Sequence, residues 1–194
     1  MNTYRLRLGS GSPRRRELLQ QLGWKFDVVK IHCHEDHPAD LLGGDIAAHL
    51  ALKKSLAFQD PLAKDEVLLT ADTVVWLEGK HLAKPDSLEE AKQMLRALSG
   101  KTHEVITGFC VRTQELTEVV TETTKVHFSH LSEEVIRHYV ETYQPLDKAG
   151  AYGIQEWIGL VGIQKIEGCY FNVVGLPVHL LVQTFHRLQL PLSP

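Results

Sequence analysis

The sequence of 194 residues is poor in cysteine and lacks the pattern of a disulfide-stabilised secreted domain. Its three cysteines, Cys33, Cys110 and Cys169, are an odd number with no short repeated spacing. Small secreted domains usually carry an even set of cysteines that pair as disulfides. We therefore expect free thiols and a reducing, cytoplasmic compartment.

Long hydrophobic runs and an excess of basic residues are also absent. No segment approaches the roughly 20 apolar residues that a membrane-spanning helix needs, and Arg5 and Arg7 make the N-terminal segment unlike a signal peptide. The net charge of −3 argues against binding to duplex nucleic acid, because such proteins usually present a basic face. We expect neither a membrane nor a nucleic-acid partner, so any bound anion must be held by local charge.

The sequence instead contains alternating strand and helix signals with one long hairpin. Strands are predicted at residues 4–8, 26–31, 67–77, 102–113, 118–128, 160–166 and 170–174. Helices are predicted at residues 12–23, 45–58, 87–100, 132–142 and 177–188, with Ser12, Asp45, Ser87 and Ser132 as N-caps. We expect one mixed α/β domain that spans residues 1–194.

The stretch LGSGSPRRRELL, residues 8–19, joins a strand to a helix through a turn of small residues and three arginines. Backbone N–H groups and the helix dipole at such a helix start favour bound anions. Arg14 and Arg15 are unfavourable there by roughly 0.3–1 kcal/mol each, and unfavourable local choices often mark functional sites. The arginines therefore predict a phosphate site, because one planar guanidinium group can bind two phosphate oxygens at once. A solvated basic turn is the alternative.

Two further stretches contain candidate functional residues. Asp72 interrupts the apolar run at residues 67–77, and a buried carboxylate needs an ion pair, hydrogen bonds or a cation. It is a candidate metal ligand or general base in a cleft that Lys84 can also reach; a turn-capping aspartate is the alternative. In DKAGAYGIQ, residues 147–155, Gln155 offers a donor and an acceptor to a planar heterocycle, although polar loops of this kind are common.

The segment HCHEDH, residues 32–37, contains three histidines and one cysteine, which could suggest a zinc site. The spacing of His32, Cys33, His34 and His37 matches no common zinc finger, and adjacent side chains rarely converge on one tetrahedral ion. We interpret the segment as a solvent-facing, histidine-rich loop around Glu35 rather than as a zinc site.

Six ordered motifs resemble those of one family, the Maf nucleoside triphosphate pyrophosphatases. They are LGSGSPRRRELL, ADTVV, AKP, LSGKTHEVITG, DKAGAYGIQ and NVVGLP, and they cover nearly the whole chain. The departures are small: Gly9 stands where the family usually has alanine, and HCHEDH is unusual. The resemblance implies a curved mixed β-sheet with flanking helices and two lobes around a cleft, similar to the inosine triphosphatases.

The resemblance also implies an activity and a set of site residues. Members of the family hydrolyse nucleoside triphosphates to the monophosphate and pyrophosphate with a divalent cation such as Mg, Mn or Co. Asp72 matches the proton acceptor, and the specificity positions are Arg14, Thr73 and Gln155. The polar positions that line the triphosphate site are Ser10, Arg15, Glu35, Lys54 and Lys84, and Glu35 is also the candidate metal ligand.

At the three specificity positions, the chain resembles the branch of the family that acts on dTTP, UTP and modified pyrimidine nucleotides. The branch that acts on methylated GTP typically has an aromatic residue in place of Arg14. A nucleotide-binding regulator of septum formation and cell division is a further alternative, because the family is associated with those processes. Its members are commonly dimeric, so the resemblance also implies a homodimer.

Overall fold

A mixed β-sheet forms the centre of the computed structural model, which describes residues 3–192. Its seven strands are β1 (Arg5–Leu8), β2 (Phe26–Val28), β3 (Glu66–Leu77), β4 (Lys80–Leu82), β5 (Thr102–Arg112), β6 (Thr117–Phe128) and β7 (Ile163–Glu167). The order is β2-β1-β3-β5-β6-β7, and β4 pairs with β3. β1 runs parallel to β2 and β3, whereas the other pairs are antiparallel. The predicted mixed sheet and the long β5–β6 hairpin are confirmed.

Helices flank the sheet, as predicted for an α/β fold. They are α1 (Pro13–Gln21), α2 (Gly44–Ala57), α3 (Leu88–Leu98), α4 (Glu133–Tyr143), α5 (Trp157–Gly162), α6 (Tyr170–Val174) and α7 (Val178–Arg187). Within the described residues, no helix is both long enough and apolar enough to cross a membrane.

Three of the four predicted N-caps are confirmed. The side chains of Ser12, Ser87 and Ser132 each accept a hydrogen bond from the backbone N–H three residues later. The prediction of Asp45 as the cap of α2 is wrong, since Gly43 occupies that position with φ +48°. Asp45 lies in the first turn instead, where its negative charge interacts favourably with the positive end of the helix dipole.

The C-terminal strand predictions are partly wrong. Residues 170–174 form α6, which ends at Gly175, and the segment 160–166 is divided between the end of α5 and the start of β7. A short apolar run cannot be assigned to strand or buried helix from periodicity alone. In α6, the Asn172 side chain donates to the Val105 carbonyl and to Thr124, so tertiary contacts determine this conformation.

The alternation of side chains along β3 divides the core between the two faces of the sheet. Val67, Leu69 and Val75 pack into the main core, while Val74 packs with Ile46 and its neighbours in α2 on the other face. Consecutive residues of β3 therefore reach different environments. This division decides what surrounds each of the polar residues in the middle of the strand.

Candidate active site

The candidate site lies at a gap beside β3. β1 pairs with β3 as far as Leu69, and β4 pairs with it from Val75, so residues 70–74 have no partner strand on this side among the described strands. Asp72 and Thr73 lie in this gap and point to opposite faces of the sheet. An interrupted strand edge of this kind leaves space for a ligand between the surrounding loops.

Asp72 faces α2, where Lys54 in the last turn of that helix binds its carboxylate. Gly108, which pairs with Asp72 from β5, permits the close approach of α2 to the sheet. A Cβ at Gly108 would lie 2.5 Å from the carbonyl oxygen of Ala47. The side chains of Asp72 and Lys54 are only 12% and 14% exposed, so the ion pair is largely withdrawn from water.

Glu35 connects Lys54 with Lys84 at the mouth of the site. One carboxylate oxygen of Glu35 accepts from Lys54 Nζ at 2.8 Å, and the other accepts from Lys84 Nζ at 2.7 Å. Partial burial raises the pKa of Glu35, but the hydrogen bonds and charges of the two lysines outweigh it and lower the pKa to about 2. Glu35 is therefore ionised at neutral pH, and Lys54 binds two carboxylates at once.

Arg15 is buried beneath the site and binds four protein acceptors. Its guanidinium donates to the carbonyls of Gly175 and Ala71 at 2.8 Å each, to Ser10 Oγ at 3.1 Å and to Thr73 Oγ1 at 3.0 Å. A guanidinium has five N–H groups, so one remains for a ligand. Arg15 thus connects the loop after β1 with β3 and with the end of α6.

The hydroxyl of Thr73 belongs to a chain of hydrogen bonds with a fixed direction. Thr107 Oγ1 donates to the carbonyl of Asn172 at 3.0 Å and lies 2.9 Å from Thr73 Oγ1. Each hydroxyl has one proton, and Arg15 can only donate. Thr73 must therefore accept from Arg15 and donate to Thr107, so its remaining lone pair can only accept from a ligand.

Arg14, at the start of α1, forms an ion pair with the loop at residues 147–156. Its guanidinium donates to Asp147 at 2.8 Å, and Lys148 Nζ lies 2.7 Å from the other oxygen of the same carboxylate. Burial raises the pKa of Asp147, but hydrogen bonds from Lys148 and Arg14 outweigh it and lower the pKa. This contact holds the Gln155 loop beside the helix start.

These groups surround one cavity of about 670 Å³. All nine site residues predicted from the sequence line it: Ser10, Arg14, Arg15, Glu35, Lys54, Asp72, Thr73, Lys84 and Gln155. Seven basic and three acidic side chains line this cavity, although the whole chain has a net charge of −3. The structure therefore brings the predicted residues together, while their individual roles stay predictions.

Sequence reasoning missed several residues of the cavity wall. Asp147 and Lys148 lie within the motif DKAGAYGIQ, and their opposite charges beside Gln155 could have indicated them. Lys30 also lines the cavity but lies in a segment predicted as an ordinary strand, and Tyr152 lies within the same motif as Asp147 but has no charge that would mark it. Their contribution depends on tertiary contacts that the local sequence does not encode.

The donor set fits a metal ion that shares its coordination with phosphate oxygens. Within residues 3–192, no group of three or more His, Cys, Asp or Glu residues could by itself hold a metal ion. However, Asp72 and Glu35 bind the same ammonium nitrogen, so two carboxylates meet at one point of the cavity. Mg²⁺ is commonly bound by one or two carboxylates together with substrate phosphates.

The chain is similar in sequence to several named proteins. A dTTP/UTP pyrophosphatase of Bacteroides thetaiotaomicron is 46% identical over 97% of this chain and 98% of its own length. A relative of the same name from Porphyromonas gingivalis is 46% identical over 93% of this chain and 92% of its own. The Ham1 protein of Staphylococcus aureus aligns over 64% of this chain and 71% of its own, with 11% identity and a TM-score of 0.44. The family model described as Maf-like protein matches residues 5–188. The chain therefore belongs to the Maf-like protein family.

Proposed function

We propose that this protein hydrolyses dTTP and UTP between the α and β phosphates, giving the nucleoside monophosphate and pyrophosphate. The observation that carries the proposal is the arrangement of Asp72 beside Lys54, within a cavity whose wall is rich in basic side chains. The relatives named dTTP/UTP pyrophosphatase, which match the chain over nearly its whole length, support the same substrates.

The basic residues bind the triphosphate. A nucleoside triphosphate is strongly anionic, and the chain as a whole is mildly acidic, so attraction has to come from the cavity itself. Arg14, Lys54 and Lys84 present their charges to that space, and Arg15 contributes its one remaining N–H group. Cations on the phosphoryl oxygens stabilise the charge that develops in the transition state and on the leaving pyrophosphate.

Asp72 is the proton acceptor in this mechanism. Attack in line at the α-phosphorus needs a water molecule that is oriented and loses its proton to a nearby base. The Asp72 carboxylate lies in the gap of β3, and Lys54 fixes its position. A proton removed from water is therefore transferred to a carboxylate oxygen that faces the cavity.

A divalent cation is part of the proposal. Glu35 and Asp72 would hold it together with phosphate oxygens, since they are the two carboxylates that share Lys54. When bound, the ion neutralises phosphate charge and polarises the phosphoryl group. Mg, Mn and Co are the candidate ions.

Gln155 and Thr73 supply polar contacts for the pyrimidine base, and Arg14 is the third specificity position that the family resemblance implies. Uracil and thymine present ring N–H and carbonyl groups, for which the amide of Gln155 supplies one acceptor and one donor. Thr73 adds an acceptor, because its proton is donated to Thr107. These are small polar contacts suited to the edge of one ring.

The test is a panel of nucleoside triphosphates assayed for pyrophosphate release with Mg, Mn and Co in turn. We expect dTTP and UTP to be turned over faster than ATP, GTP and methylated GTP. Faster turnover of methylated GTP would favour the other branch of the family. Binding of dTTP without pyrophosphate release under any of the three ions would favour a regulatory nucleotide sensor and contradict the proposal.

The proposal has three further elements. They are a single domain over residues 1–194, a homodimer, which the family resemblance supports, and a cytoplasmic site of action, which the low cysteine content supports. A role in septum formation rests on the same resemblance. Gel filtration with light scattering tests the homodimer, which a monomeric mass would contradict.

A further inference from the structure

The loop at residues 147–156 is held by polar contacts with α1 and with α4. Ala151 has φ +58°, in the left-handed region that residues other than glycine rarely adopt, and it is fully buried. Such strain persists only where the surroundings enforce it, and it concentrates at functional sites. The contacts that hold this loop are therefore candidates for a functional role.

Tyr139 of α4 supports the loop from within the core. Its hydroxyl accepts a hydrogen bond from the backbone N–H of Gly153 at 3.1 Å and donates one to the carboxylate of Glu156. The other oxygen of that carboxylate lies 3.0 Å from Lys148 Nζ. Tyr139 is fully buried, so its hydroxyl connects two loop positions, one on each side of Gln155.

The Gln155 side chain lies directly over this support. A Cβ built at Gly153 would be 3.1 Å from Gln155 Nε2 and 3.0 Å from Glu156 Cδ. The Gln155 amide is exposed, lines the cavity and forms no hydrogen bond with other residues in the range 3–192. The Gln155 amide and the Glu156 carboxylate therefore both lie close to Gly153, and the Tyr139 hydroxyl binds the N–H group of Gly153 and that carboxylate.

We propose that Tyr139 and Glu156 are positioning residues that set the Gln155 amide for the edge of a uracil or thymine base. The inference rests on the proposed function for the identity of the base. The positioning itself is a property of the unliganded protein. Neither residue touches the reacting atoms, so their removal should weaken recognition of the base more than the chemical step.

The first experiment observes the Gln155 amide directly. The side-chain N–H₂ signals of Gln155 in a ¹⁵N-labelled protein are identified by their loss in Gln155→Ala. We expect Tyr139→Phe, which removes only the hydroxyl, to shift these signals. Tyr143→Phe is the matched control, because that ring stacks on Tyr139 at 5.1 Å and is 38% exposed, and it should leave them in place.

The second experiment is a double-mutant cycle in steady-state kinetics. Tyr139→Phe should raise the KM for UTP roughly 3- to 10-fold, the effect of losing about one net hydrogen bond, with kcat changed less than about 2-fold. In the Gln155→Ala background, the same substitution should have no further effect on KM. Coupling of this kind distinguishes action through Gln155 from a general loss of structure.

Two results would overturn the inference. One is a folded Tyr139→Phe protein with unmoved Gln155 signals, and the other is an equal rise in KM with and without Gln155. If Tyr139→Phe does not fold, Glu156→Gln serves as the second variant, with the same expected shift and the same coupling. If the wild-type protein releases no pyrophosphate from UTP or dTTP, the proposed function fails, and the signals of the unliganded protein still decide the positioning.

Discussion

Among single residues, Glu35 has the most direct connection to the proposed metal ion. Its low pKa, about 2, means that the carboxylate is ionised well below neutral pH, with Lys54 and Lys84 as its cationic partners. Replacing Glu35 by Gln removes a charged ligand while keeping the size of the side chain. We expect the Mn²⁺ concentration for half-maximal pyrophosphate release to rise about 10-fold or more. A titration that superimposes on the wild-type curve would contradict this role.

Thr107 controls the direction in which the hydroxyl of Thr73 points. In Thr107→Val, the carbonyl of Asn172 loses its donor and the Thr73 proton loses its acceptor. We expect the KM for UTP to rise roughly 3- to 10-fold and the free energy of unfolding to fall by about 1–2 kcal/mol. Steady-state kinetics and urea unfolding measure the two effects.

Two variants control for this effect. Thr107→Ser retains the hydroxyl and should restore the KM, while Thr121→Val places the same change at an exposed position of β6 and should be neutral. If serine does not restore the KM, the effect comes from packing rather than from the hydroxyl.

The buried side chain of Arg15 connects α1 with the strand and loops beneath the site. In Arg15→Lys, a single ammonium replaces a planar fork that binds four acceptors, and the buried carbonyls of Ala71 and Gly175 lose donors. We expect the free energy of unfolding to fall by about 2–4 kcal/mol, measured by urea unfolding. Arg16→Lys, at the adjacent exposed position, should change it by less than about 0.5 kcal/mol. Similar losses for the two variants would show that the hydrogen bonds of Arg15 contribute little.

How far the elements could be predicted depended on the kind of signal that each one carries. The starts of α1, α3 and α4 were predictable because Ser12, Ser87 and Ser132 act locally, on the first turn of their own helix. α6 was wrongly predicted as a strand. Its helical conformation depends on contacts between Asn172 and the distant strands β5 and β6, which the local sequence does not show. Local chemistry was readable from the sequence, whereas tertiary contacts were not.

The site residues were likewise predictable where the signal was local and not where it depended on tertiary contacts. Asp72 was identifiable because a carboxylate in an apolar run conflicts with burial, and the arginines because they oppose the helix dipole. The roles of Ser10, Glu35 and Lys54 came from the family resemblance alone. Tyr139 has no such conflict in the sequence, since a buried tyrosine on a helix is ordinary. Its contact with the Gln155 loop required the folded chain.

In the whole molecule, a buried histidine makes stability depend on pH. His103 lies 2.7 Å from the Tyr152 hydroxyl and stacks on Phe128. Burial, together with the charge of His127, lowers the pKa of His103 to about 3. An unfolded chain takes up a proton near pH 6.5, so this group reduces stability as the pH falls from 6.5 towards 3 and has no such effect above that range.

We expect this histidine to reduce the free energy of unfolding by about 2 kcal/mol between pH 7 and pH 5. Urea unfolding at several pH values measures the loss. His103→Gln should make the curve flatter in this interval, and His130→Gln, at an exposed position, should not. Parallel curves for the wild type and His103→Gln would show that His103 does not contribute to the dependence.

The positive charge of the site is local, whereas the chain as a whole is mildly acidic. A net charge of −3 cannot attract a polyphosphate, so the basic residues have to converge from distant segments onto one cavity. Asp72 is the group on which the proposed chemistry depends within that cavity. The most direct test therefore compares pyrophosphate release from UTP by the wild type, Asp72→Asn and Glu66→Gln.

Glu66 is a buried carboxylate on the same strand, paired with Arg7 and outside the cavity. We expect Asp72→Asn to fold normally and to lose 10²-fold or more of its turnover, on the order of the contribution of a general base. Glu66→Gln should retain turnover close to that of the wild type, even if it is less stable. A folded Asp72→Asn protein with turnover near that of the wild type would show that Asp72 is not the proton acceptor.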